Sequence, residues 1–133
     1  MTLAGVWLVV VPATLPPRQF RMILKSFSQS FAHVQLWYFL PAHRLGPFNA
    51  VLVGSNEAIA LDYQTVQDRF ERRSEALASL RPYGLTSAVA LLPHFVAGDE
   101  IVSSEVASAP VNTLDHPRYE FYHPWDYAAD RKG

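Results

Sequence analysis

Val6-Trp7-Leu8-Val9-Val10-Val11 is an unbroken run of β-branched, leucine and aromatic residues held between Gly5 and Pro12. Successive side chains of a strand point to opposite faces. A strand apolar at every position therefore needs cover on both sides. That requirement is met in the interior of an α/β sheet, so the run predicts a strand buried on both faces.

The next 40 residues extend that expectation. Thr14 and the pair Pro16-Pro17 mark a helix start, because proline is tolerated in the first turn. Phe20, Ile23, Leu24, Phe27 and Phe31 then line one helical face, with Arg18, Arg21, Lys25 and Gln29 on the other. His33 to Leu40 is rich in strand formers, and Ala50-Val51-Leu52-Val53 forms a further strand ending at Gly54-Ser55. The turn-rich stretch Pro41 to Pro47 joins these two strands into a hairpin. Residues 1–56 thus read strand, helix, strand, strand, which is part of an α/β sheet and less than a doubly wound one.

Beyond residue 56 the pattern turns helical. Asp62 is placed to cap a helix whose Val66, Phe70, Leu77 and Leu80 face inward. Asp68 and Arg72 sit i,i+4 on its outer side. Pro82 and Gly84 end that helix, a second is expected over Ser87 to His94, and a third from Asp99. From Pro110 onward, prolines and aromatics predict a tail that wraps back over the surface. The expectation is one structural unit in two segments, 1–56 and a helical extension over 57–133.

Composition bounds the function. Eleven Lys and Arg against twelve Asp and Glu leave no basic field, so nucleic acid is not an expected partner. Cysteine is missing from the sequence, which removes thiolate ligands, disulfides and a Cys nucleophile. The five histidines include no i,i+4 pair of the kind that holds zinc on a helix, and no metal or bound cofactor is expected. The apolar run at the N-terminus stops at Pro12, well below the roughly 20 residues that cross a bilayer. Leu85 to Ala97 is also short and holds Pro93 and His94. Direct membrane insertion is not expected, and the expected location is the cytoplasm unless an upstream transmembrane region is fused to the chain.

Asn112-Thr113-Leu114-Asp115-His116-Pro117, followed by Glu120-Phe121 and Pro124, resembles the closing motif of spermidine synthase-like proteins. That motif usually reads Asn-Thr-Asp-Asp-Arg-Pro, a spacer, an apolar residue, Glu-Phe and a Pro. Gly5-Val6-Trp7-Leu8-Val9 resembles the family's Gly-Gly-Val-Leu-Val. Phe31-Ala32-His33-Val34-Gln35-Leu36-Trp37 resembles its Phe-Pro-His-Val-x-Leu-Trp, and Val51-Leu52-Val53-Gly54-Ser55 its last strand. Leu114 stands in place of the first Asp of the closing motif, and His116 in place of its Arg.

The resemblance implies a partial Rossmann-like sheet of the class I S-adenosylmethionine-dependent methyltransferase type, carrying a helical C-terminal extension. It implies a family reaction, aminopropyl transfer from decarboxylated S-adenosylmethionine to a diamine. An amine must lose a proton and attack a carbon bound to a sulfonium, so an acid that accepts the proton is needed. The donor needs a Gly-rich turn and an acid for its ribose. All six glycines here are isolated, so the sequence has no Gly-x-Gly. The family's Asp-bearing loop precedes the segment that begins at Gly5. This chain alone is therefore not expected to transfer aminopropyl groups, and the expected partner is an upstream catalytic segment or a second chain.

Four residues are candidate substrate contacts. His43 and Arg44 occupy the hairpin loop, where the family usually carries a Tyr-Pro pair, and a cation there is poorly suited to holding another cation. Asp115 fits an Asx-type turn. Glu120 lies among Tyr119, Phe121 and Tyr122, where a partly buried acid is expected to pair with Arg118 or a distant Arg. Two other readings stand beside the fragment of an enzyme. One is a stand-alone binding module, oligomeric through its hairpin and aromatic tail. The other is an unrelated site built from His43, Arg44, Asp115 or His123.

Overall fold

The computed structural model describes residues 5–39, 49–113 and 115. Strand β1 (Val6–Pro12) is followed by helix α1 (Pro17–Ser28), then strands β2 (His33–Phe39) and β3 (Asn49–Ser55). Helices α2 (Tyr63–Arg72) and α3 (Ala88–Leu91), a short strand β4 (Phe95–Ala97) and helix α4 (Asp99–Glu105) complete the order. The four strands form one sheet in the order β1-β3-β2-β4, each neighbouring pair antiparallel. Since β3 is antiparallel to both flanking strands, β1 and β2 run in the same direction, linked by α1.

The register sorts the side chains cleanly. Trp7, Val9 and Val11 share a face with Gly54, Leu52 and Ala50 of β3 and with Val34, Leu36 and Tyr38 of β2. Leu24 of α1, Val102 of α4 and Val106 at the C-cap of α4 close over that face, and Leu52 at its centre is fully buried. Gly54 is required by this packing. A Cβ there would come within 2.5 Å of the Phe31 ring and 2.8 Å of the Phe27 ring. The end of α1 can sit this close only over a residue without a side chain.

Local chemistry explains the helix ends. The Asp62 carboxylate accepts from the Thr65 backbone N–H at 2.8 Å and from the Thr65 hydroxyl at 2.7 Å, so the expected cap of α2 is present. Those bonds hold the Asp62 carboxyl below its ordinary range. The Asp68–Arg72 pair also forms, at 3.9 Å. Gly84 takes the left-handed conformation, φ 75°, after a 3-10 turn over Ala78–Tyr83.

Two expectations need correction. β1 is not buried on both faces: it is an edge strand, and Val6 through Val10 are exposed. The sequence demanded cover, and the described residues do not supply it. The segment after residue 56 is also more than a helical extension. It contributes β4 to the sheet and α4 to the core, and α2 stops at Arg72 short of Leu77 and Leu80.

Candidate functional site

The two faces of the sheet are covered unequally from one side to the other. On the face away from α1, Trp37 of β2 is 9% exposed. Phe95 of β4 stands edge-on to it with ring centroids 5.3 Å apart, and its indole N–H donates to the Gln35 side-chain oxygen at 3.1 Å. Gln35 in turn donates to the Ile59 carbonyl at 3.3 Å, so the strip after β3 is tied across β2. His94 stacks on Phe39 with centroids 4.8 Å apart, and a ring nitrogen lies 3.0 Å from the Tyr38 carbonyl. On that same face, Val10 is paired through Val51 with Trp37, yet Val10 is 64% exposed.

Among the described residues, β1 is left bare over residues 6–10 on both faces and along one edge. Val6, Leu8 and Val10 are exposed on one face, and Trp7 and Val9 are exposed on the other. Its edge away from β3 has no neighbouring strand among the described residues. Trp7 has a partial partner in Phe31, with centroids 6.4 Å apart. No charged residue and no bulge lies in the strand, it is not short, and Pro12 at its last position is the one edge-protecting device it carries.

A second feature sits at the opposite edge. The Asp99 carboxylate at the start of α4 accepts from the Val34 backbone N–H and lies 2.8 Å from His33 Nδ1. Partial burial disfavours the charged form of Asp99. The Val34 and His33 hydrogen bonds outweigh that burial and leave the carboxyl below its ordinary range. Ser55 faces His33 in the register, but its hydroxyl accepts from the Glu57 N–H at 3.1 Å and serves the turn. The His33–Asp99 pair is thus a fastening of α4 to β2, and it brings no nucleophile to a base.

Of the residues proposed from sequence, His43, Arg44 and Glu120 lie outside the described residues, as does His123. Asp115 is exposed. The described part of the closing segment does return to the domain. The Asn112 N–H donates to the Ser26 hydroxyl of α1 at 2.8 Å, and Ala109 packs on the core. Among the described residues there is no group of three His, Asp or Glu side chains fit to hold a metal ion. No helix among them is long and apolar enough to cross a membrane. No family model, no curated protein and no solved structure matches this chain.

Proposed function

We propose that this chain is the C-terminal portion of a spermidine synthase-like protein, a Rossmann-like methyltransferase-type sheet cut before its last strands. The observation that carries the reading is β1. A strand apolar on both faces, without charge, and exposed from Val6 to Val10 is what a sheet severed at that point would leave. The strand order adds support. A parallel pair joined by a helix, with β3 inserted antiparallel between them, suits the closing hairpin of that fold.

In this reading the family reaction, aminopropyl transfer from decarboxylated S-adenosylmethionine to a diamine, belongs to the whole protein. The proton acceptor and the donor-binding turn reside upstream or on a partner chain. The best-defined carboxylate here, Asp99, is engaged with His33 and Val34. The part contributed by this chain is one wall of the sheet and its closing tail.

The test is the native gene product, captured with an antibody against residues 110–133 and assayed with decarboxylated S-adenosylmethionine and putrescine. A species much heavier than 14.9 kDa that transfers the aminopropyl group is the expected result. A 14.9 kDa species that is inactive by itself and with every co-purifying chain would overturn the reading. The bare edge also favours a second reading, a stand-alone interaction module that oligomerises through β1. A small, inactive and stably self-associated product would select it.

A further inference from the structure

An apolar cavity of about 350 Å³ lies between the first turns of α1 and the sheet. Leu15 and Phe20 form one wall, and Leu36, Ala50 and Val96 form the other. The volume falls at the small end of ordinary ligand sites, roughly 300–1,000 Å³. Its position is informative. Ala13, just past the end of β1, and Tyr38, near the end of β2, both border it, so it opens at the carboxyl ends of the two parallel strands. Open α/β sheets place their ligands at that end.

The electrostatics of the cavity are one-sided. Among the described residues that line it, Arg21 is the charged one and none carries a carboxylate. The first turn of α1 carries no acidic side chain and its N-cap, Pro16, offers no side-chain acceptor, so neither places an acid at the positive end of the helix. Arg21 also borders a second cavity of about 360 Å³, together with Arg18 and Ser108. Its ion pair with Glu105 is loose, at 3.6 Å with both side chains more than half exposed. Such a surface pair exchanges readily for a better-placed anion.

We propose that this cavity binds a small amphipathic carboxylate. Its apolar body lies against Phe20, Leu36 and Val96, and its carboxylate meets the Arg21 guanidinium in the forked geometry that arginine favours. An alkylammonium ion of the same length is disfavoured, since it would face the Arg21 guanidinium, and Glu105, the acid beside it, is engaged with Arg21. The cavity would serve this ligand whichever family the chain belongs to.

The experiment is an NMR titration of the full chain with three probes of equal length: octanoate, octanol and octylamine. Octanoate is expected to shift the Phe20, Leu36 and Val96 amides saturably, with octylamine weaker by about tenfold or more. Arg21→Gln should weaken octanoate by about fivefold to tenfold and leave octanol unchanged. Ala13→Trp, on the border of the cavity just past β1, should block octanoate and octanol alike. Equal binding of octylamine and octanoate would overturn the proposal. So would shifts confined to Val6–Val11, which would mean general adsorption to the bare strand, or no saturable shift with octanoate at all.

Discussion

The sheet has two edges, and they are built differently. β4 is three residues long, its pairing with β2 carries a register shift, and α4 is fastened beside it by Asp99. Shortness, irregularity and a covering helix are the usual means of closing a sheet to further pairing. β1 is seven residues long, regularly paired and free of charge, with its apolar side chains from Val6 to Val10 in solvent. One edge is finished within this chain. The other carries the chemistry of an interior strand, the described residues do not supply the neighbours such a strand needs, and that difference places the functional question at β1.

Two tryptophans sharpen the comparison most. Trp37→Ala, on the β4 side, should destabilise the domain by about 3–5 kcal/mol, read from urea unfolding. Trp7→Ala, on the bare side, should cost about 1 kcal/mol or less, through its contact with Phe31. Equal losses would mean that the isolated chain covers β1 after all.

Gly54→Ala tests the packing between the edges. The added Cβ must displace the Phe31 and Phe27 rings, and a cost of about 1–3 kcal/mol is expected in the same assay. A neutral substitution would mean that the end of α1 does not press on β3 as described.

Asp99→Asn loosens the finished edge by about 1 kcal/mol, kept small because the side chain is half exposed. The sign of the pH dependence follows from the direction of the shift. A carboxyl held below its unfolded value adds stability above about pH 4, and that stability is lost as pH falls through the folded value. Wild type should therefore lose more stability than Asp99→Asn between about pH 5 and pH 2. Parallel melting curves across that range would remove Asp99 as the fastening.

Leu8→Lys should have the smallest effect on folding, within about 0.5 kcal/mol, since the side chain is 65% exposed. Its effect should appear in sedimentation as reduced self-association at high concentration, because a lysine on an edge opposes pairing. Unchanged association would move the sticky surface away from β1.

Much of the fold could be read locally. The helix start at Pro16-Pro17, the Asp62 cap, the Asp68–Arg72 pair and the hairpin all depend on residues near one another in sequence, and each is present. β4 could not be read that way. Phe95-Val96-Ala97 lies in an apolar run with Pro93 and His94, and it becomes a strand only by pairing with β2 some 60 residues earlier. The His33–Asp99 fastening joins residues 66 apart, and Asp99 carries only the local signal of a helix start. The exposure of β1 was hidden for a different reason. A strand's composition states which neighbours it needs, and it does not state whether the same chain provides them. Of the candidate site, Asp115 is exposed, and the other three residues lie outside the described part.

The open edge is tested most directly by hydrogen exchange across β1, measured in the native product captured through its tail and in this chain alone. In the isolated chain, the Val6–Val11 amides that point away from β3 should exchange at rates close to those of surface loops. In the native product they should slow by about a hundredfold or more, because another strand holds them. Equally fast exchange in both would contradict the account and leave β1 a true edge.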